Sequence, residues 1–177
     1  MVYGAILKGE NNEGYTYLLD IFKSMNHFQK DYNWLITDCE IGAMKFEHHE
    51  RFFQSGDHAW ISGIELTGII KKENFQWIWG VLSGFRNQYT HEQTLEYPLP
   101  YADGNPNFWK DDLEIQNPLA DIEIVAWDSS ATLFLTKDIE LYRTFRNAFP
   151  ESKDLKLVNT IDYDEANDYE NWLKSHV

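Results

Sequence analysis

The sequence has one cysteine, Cys39, and no long apolar run, and each shortage excludes a class of protein. A single cysteine cannot form an intramolecular disulfide or a cysteine-cluster zinc site. No stretch approaches the roughly 20 apolar residues that span a bilayer. The first ten residues contain neither the basic segment nor the apolar run of a signal peptide. We therefore expect a cytoplasmic protein without a membrane as partner.

Basic residues are also scarce, with 15 lysines and arginines against 29 aspartates and glutamates and a formal net charge of −14. Nucleic-acid binding depends on clustered basic residues that neutralise phosphates, so no nucleic-acid partner is expected. The charge is uneven, because the net charge is −3 over residues 1–88 and −11 over residues 89–177. Such an excess also keeps a protein soluble without any binding role.

Known catalytic and cofactor fingerprints are missing as well. There is no phosphate-binding G-x-x-x-x-G-K-[ST] loop and no dinucleotide-binding G-x-G-x-x-G. The segment Gly80–Gly84 has the wrong spacing for the turn that carries a catalytic serine, and Ser83 falls inside an apolar run typical of a strand. No cofactor is predicted.

Apolar and aromatic residues are abundant, at 43% and 16% of the chain, so residues 1–177 can bury one core and form a single domain. Apolar spacings of three and four predict four amphipathic helices, and short apolar runs between turn-forming residues predict strands. Because the two do not alternate regularly, the predicted class is α+β, a mixed or antiparallel sheet with about four helices packed on it. The helices are predicted over 15–28, 62–72, 136–149 and 163–174, and the strands over 2–8, 32–37, 59–61, 75–85, 121–127 and 131–135.

Several segments have more specific signals. Ser62 and Glu65 have the spacing of a capping box, and Thr136 and Asp162 are predicted to cap the last two helices. The near-continuous apolar run 75–85 is typical of a central strand covered on both faces. Residues 155–158 are predicted to be extended. The region 86–120 contains four of the five prolines and is predicted to be long, irregular and often functional.

Three candidate sites have ordinary explanations. The cluster His48, His49 and His58 could meet a carboxylate, but adjacent histidines cannot share a helix face, and solvated polar residues are the preferred interpretation. Cys39 would need a neighbouring base to be a nucleophile, and a small buried apolar residue is preferred. Asp103 to Glu114 resembles a calcium-binding loop, yet Phe108 replaces the glycine that allows the sharp turn. No metal site is predicted.

The acidic residues are the preferred candidate site. Carboxylates in a first helical turn offset the helix dipole, which leaves Asp168 and Glu170 unexplained. We therefore predict an acidic, aromatic-rich surface that binds a basic protein partner, as immunity proteins and antitoxins do, without catalysis. The alternatives are an enzyme with a carboxylate site in Asp103–Asp128 and an oligomeric structural or regulatory subunit; the oligomeric state stays open. The predicted surface comprises Asp162, Asp164, Glu165, Asp168, Glu170, Asp111 and Asp112.

A distinctive segment, 117–155, reads NPLADIEIVAWDSSATLFLTKDIELYRTFRNAFPESKDL. It contains a strand after Asn117-Pro118, a Trp127-Asp128-Ser129 turn, a second strand, and a helix that ends at Phe149-Pro150. With Trp60 to Gly63 and the apolar strand that follows, this segment resembles an uncharacterised bacterial family of domains of unknown function, the family numbered 2691. The resemblance covers about two-thirds of the chain. It implies a small cytoplasmic bacterial protein and assigns no functional residue.

Overall fold

The computed structural model describes residues 1–9, 16–42, 51–52 and 56–161 of the chain. Their centre is one seven-stranded antiparallel sheet with the strand order β3-β2-β4-β5-β6-β1-β7. The α+β class is therefore confirmed, with an antiparallel rather than a mixed sheet. The strands are β1 (Tyr3–Lys8), β2 (Asn33–Ile41), β3 (His58–Ser62), β4 (Trp77–Phe85), β5 (Ile122–Trp127), β6 (Ala131–Thr136) and β7 (Lys153–Asp154).

Five α-helices are described, and three of them have seven or more residues where about four amphipathic helices were expected. They are α1 (Leu18–Ser24), α2 (Gly63–Lys72), α3 (His91–Thr94), α4 (Ile139–Ala148) and α5 (Leu155–Thr160), and 3-10 turns span Phe28–Asp31 and Pro106–Trp109. Within the described ranges, no helix is long and apolar enough to cross a membrane.

The helix ends follow local chemistry, with two corrections to the sequence predictions. The Ser62 hydroxyl accepts a bond from the Glu65 amide, which confirms the serine half of the predicted capping box, while the Glu65 carboxylate accepts from Arg51. Helix α4 is capped by Asp138 instead of Thr136, because the Asp138 carboxylate accepts from two amides of the first turn. Residues 155–158 are helical rather than extended, since Asp154 caps α5. The predicted helix 163–174 and its cap lie outside the described residues.

The β5–β6 hairpin confirms the predicted turn around Asp128. Asp128 and Ser129 have φ angles of +46° and +56°, and Trp127 pairs with Ala131. Positive φ at both central residues matches the right-handed twist of the strands on either side. The same φ sign at Asn26 and His27 ends α1 earlier than the predicted residue 28.

The two sheet faces are covered differently. On one face, here called the helical face, α1, α2 and α4 pack against apolar side chains of the strands, which include Trp34, Trp77, Ile124 and Phe134. On the other, here called the irregular face, the cover comes from the region 86–120 and α5. That second cover contributes Ala102, Phe108, Leu113, Ile115, Ala120 and Leu155. The long irregular region is thus packed on the sheet, and β4 is covered on both faces as predicted.

Candidate functional site

A cleft of about 420 Å³ lies where the second half of β2 meets β3 and the segment Leu99–Asp103. We call it the acidic cleft. It brings together residues that are far apart in the sequence, and both halves of the chain contribute to it. The described lining residues are Ile36, Thr37, Asp38, Cys39, Glu40, Phe52, Gly56, Asp57, His58, Trp79, Leu99, Pro100, Tyr101 and Asp103.

A β-bulge at Asp38 shapes the floor of the cleft. The pairing of β2 with β4 shifts by one residue between Thr37 and Glu40, and Asp38 has φ +48°. In a regular strand, residues three apart face opposite sides of the sheet, but Ile36 and Cys39 both contact the helical-face core. The extra residue has therefore reversed the alternation of side chains between them. A bulge of this kind re-aims side chains and is frequent beside functional sites.

The bulge also positions Asp38 to hold the opposite wall. Its Oδ2 accepts hydrogen bonds from the amides of Ala102 at 2.7 Å and Asp103 at 2.9 Å. Charged acceptors form hydrogen bonds roughly twice as strong as neutral ones. The Leu99–Asp103 wall is therefore fixed to β2 through one carboxylate.

The electrostatic character of the cleft is negative. Four carboxylates line it, from Asp38, Glu40, Asp57 and Asp103, and no lysine or arginine is among its described lining residues. Nδ1 of His58 donates to Oδ1 of Asp57 at 2.7 Å, and this hydrogen bond lowers the pKa of Asp57 below its ordinary value. Among the described lining residues, the only basic side chain beside these carboxylates is therefore the imidazole of His58, which is hydrogen-bonded to Asp57.

One polar atom at the floor lacks a partner. Thr37 lines the cleft and is only 1% exposed, yet its Oγ1 has no hydrogen-bond partner within the described part of the chain. A buried hydroxyl in this condition costs about 1–3 kcal/mol, so native proteins rarely leave one unused.

Aromatic rings extend from the cleft across the irregular face. Trp79 lines the cleft, and its ring centroid lies 5.1 Å from that of Trp127 in an edge-to-face arrangement. The ring centroid of Trp109 lies 5.0 Å from that of Trp127, again edge to face. Tyr101 lines the cleft and is 46% exposed. Half-exposed aromatic rings beside charged groups are typical of binding surfaces.

Of the three histidines that the sequence groups together, only His58 is described. His48 and His49 lie outside the described residues. The ring of His58 lies 5.1 Å from that of His91, which stacks on Trp60 at 5.3 Å. Burial and the nearby His58 lower the pKa of His91. Across the described ranges, no three histidine, cysteine or carboxylate side chains are placed to hold a metal ion.

Two other candidates are engaged within the protein. The side chain of Asn105, in the calcium-like segment, accepts from the Asn107 amide and donates to the Tyr101 carbonyl, so it forms part of a turn. Cys39 packs against the helical-face core, and burial followed by the charge of Asp38 raises the pKa of its thiol to about 12. Cys39 is therefore a neutral thiol, which fits its interpretation as a small apolar residue.

A second unusual carboxylate, Glu123, lies under the irregular region. It is fully buried on β5, and its Oε1 accepts from the Gln116 amide at 2.9 Å and the Ser83 hydroxyl at 3.4 Å. Its Oε2 has no partner among the described residues. Burial, opposed by these hydrogen bonds, raises the pKa of Glu123 to about 7.

The predicted acidic surface is only partly described. Asp111 and Asp112 are exposed and do not line the cleft. The other five residues, Asp162, Asp164, Glu165, Asp168 and Glu170, lie outside the described residues. Sequence reasoning missed Asp38 and Glu40, because they belong to the half of the chain whose net charge is nearly balanced. Glu123 had a sequence signal, since it is a carboxylate between Ile122 and Ile124 in an apolar run.

Comparison with known proteins adds no relative: no family model, curated protein or solved structure matches this chain. The resemblance of segment 117–155 to a family of domains of unknown function therefore stays a prediction.

Proposed function

We propose that this protein is a non-enzymatic binding module that takes a basic protein partner at the acidic cleft, in the manner of an immunity protein or an antitoxin. The observation that carries the proposal is that four carboxylates line one cleft whose described lining contains no lysine or arginine. Carboxylate-rich surfaces steer basic partners and complement their charge. The exposed Tyr101 and the Trp79–Trp127–Trp109 cluster add the aromatic area that interfaces favour.

Charge reversal at matched positions tests this proposal. The double variant Asp57→Lys/Asp103→Lys changes the cleft, whereas Asp111→Lys/Asp112→Lys makes the same charge change at exposed sites outside it. Wild type and both variants are used as baits in extracts of the organism that encodes the chain, at low salt and at about 0.5 M salt, where charge interactions are screened. We expect a basic protein on the wild-type and control baits at low salt and its loss from the cleft variant. Retention by the cleft variant contradicts the proposal.

An enzyme that uses Glu123 is the second candidate. The residue lies within Asp103–Asp128, and a carboxyl group with a pKa of about 7 suits general acid–base catalysis near neutral pH. It ranks second because Glu123 does not line the acidic cleft. A panel of generic ester, phosphate and glycoside substrates tests it. Turnover by wild type that Glu123→Gln abolishes would favour this function.

A further inference from the structure

We propose that the acidic cleft binds the guanidinium group of an arginine side chain of the partner, in preference to a lysine ammonium; this inference rests on the proposed function above. It names the chemical group that the cleft recognises. Three features of the cleft favour a guanidinium group: a hydroxyl without a partner among the described residues, carboxylates on separate chain segments, and aromatic rings at the wall.

The unused acceptor is Thr37. Thr37 lines the cleft and is buried, and its Oγ1 has no hydrogen-bond partner among the described residues. A ligand that donates an N–H there would remove the cost of an unsatisfied buried oxygen. Thr37 points to a donor ligand independently of the surrounding charge.

The carboxylates extend the acceptor set over three segments. Asp38 and Glu40 come from β2, Asp57 from the approach to β3, and Asp103 from the opposite wall. The backbone amides of Ala102 and Asp103 both donate to Oδ2 of Asp38, so Oδ1 takes no part in these two hydrogen bonds. A guanidinium group has five N–H donors in a planar fork and can serve several separated acceptors at once, whereas an ammonium group has three donors around one point.

The aromatic wall favours the same group. Trp79 and Tyr101 line the cleft together with the carboxylates. Guanidinium is more weakly hydrated than ammonium and stacks on aromatic faces, so it loses less on entering a partly aromatic cleft. A metal ion fits the cleft poorly, because no described group of three ligands converges.

Titration of isotope-labelled full-length protein with three short capped peptides tests the inference. The peptides are acetyl-Gly-Arg-Gly-amide, its lysine counterpart and its neutral citrulline counterpart, and backbone amide shifts report binding. We expect the arginine peptide to shift the amides of Thr37–Glu40 and Ala102–Asp103 and to bind at least about threefold more tightly than the lysine peptide. The citrulline peptide should not bind, because it lacks the charge that the carboxylates attract.

Three variants locate the binding group. Thr37→Val replaces the hydroxyl with a methyl group of similar size, so the protein should fold normally. It should weaken arginine binding by about three- to tenfold, as expected for one hydrogen bond, and leave lysine binding nearly unchanged. Asp103→Asn should weaken binding, whereas Asp112→Asn, with the same change of charge outside the cleft, should not.

The outcomes separate the two proposals. The arginine inference fails if the arginine and lysine peptides bind equally at the cleft, or if Thr37→Val leaves the arginine affinity unchanged. Either result is still consistent with the proposed basic partner. If neither cationic peptide binds, or if the shifts fall away from the cleft, the arginine inference and the proposed cleft function both fail.

Discussion

The two faces of the sheet are stabilised in different ways. The helical face is closed mainly by apolar contacts, such as the Phe134 and Phe145 rings stacked 4.5 Å apart. The irregular face also has an apolar core, but it buries polar groups that hold its covering segment, among them Glu123, Asn105 and Asn117. The acidic cleft lies at the edge of this second cover.

The difference follows from the backbone. A helix satisfies its own amides and carbonyls and needs only an apolar stripe to pack. An irregular segment has no such ladder, so side chains must supply the missing bonds. Gln116 illustrates this, because its side-chain Oε1 accepts from the backbone amide of Tyr101 and its backbone amide donates to the Glu123 carboxyl group. The cleft wall at Tyr101 is thereby connected to a buried carboxyl group.

The largest effect is expected on the helical face. Phe145→Ala leaves a cavity beside Phe134 and should reduce the free energy of unfolding by about 3–5 kcal/mol in urea denaturation. Ile64→Ala, at a side chain that is 71% exposed on α2, is the control and should change it by less than about 0.5 kcal/mol. Equal effects of the two changes would contradict an apolar core closed by α4.

The next effect concerns the irregular face and depends on pH. The pKa of Glu123 is raised to about 7 in the folded protein, so its contribution to stability is greatest below pH 4.5 and is lost as pH rises to about 7. A shift of this size corresponds to about 3 kcal/mol at most. Glu123→Gln resembles the protonated acid, so urea denaturation across this range should show a flatter profile and a more stable protein at pH 8. If the free energy of unfolding depends on pH in the same way in both proteins, Glu123 does not have the raised pKa.

A smaller effect is expected at Asn117. Its side chain donates to the buried Thr94 carbonyl at 2.9 Å and accepts from the Leu119 amide. Asn117→Ala should cost about 1–3 kcal/mol and speed hydrogen exchange within residues 94–120. Asn87→Ala removes an exposed bond to Asn33 and should leave exchange there unchanged. If exchange rises instead across the whole sheet, the cover of the irregular face does not open separately.

The smallest effect is expected at the surface of the helical cover. Arg143 and Glu140 form an ion pair on α4 in which both side chains are mostly exposed. Solvent screens such pairs, so Arg143→Ala should change the free energy of unfolding by at most about 0.5 kcal/mol. A larger loss in the free energy of unfolding, measured by heat or urea, would show that exposed ion pairs contribute substantially to the stability of the helical face.

Much of the helical face could be predicted from the sequence. The Ser62 cap with its helix and the Ile139–Ala148 pattern depend on contacts within a few residues, and so does the Asp128 hairpin. Residues 155–158 were wrongly predicted as extended, because a short helix capped by Asp154 has too few residues to show a period. The site was harder to predict, because its residues come from segments about 65 positions apart, as the Asp38–Asp103 bond shows.

The sequence by itself determined the α+β class, the apolar strands and an acidic composition, because periodicity and charge are local properties of the chain. Only the tertiary structure decided which of the described carboxylate side chains lie in the same cleft. The bulge at Asp38 and the folded-back Leu99–Asp103 segment bring carboxylates from both halves into one cleft. Burial then left the Thr37 hydroxyl without a hydrogen-bond partner in the described part of the chain and raised the pKa of Glu123, because both effects depend on surroundings supplied by distant segments.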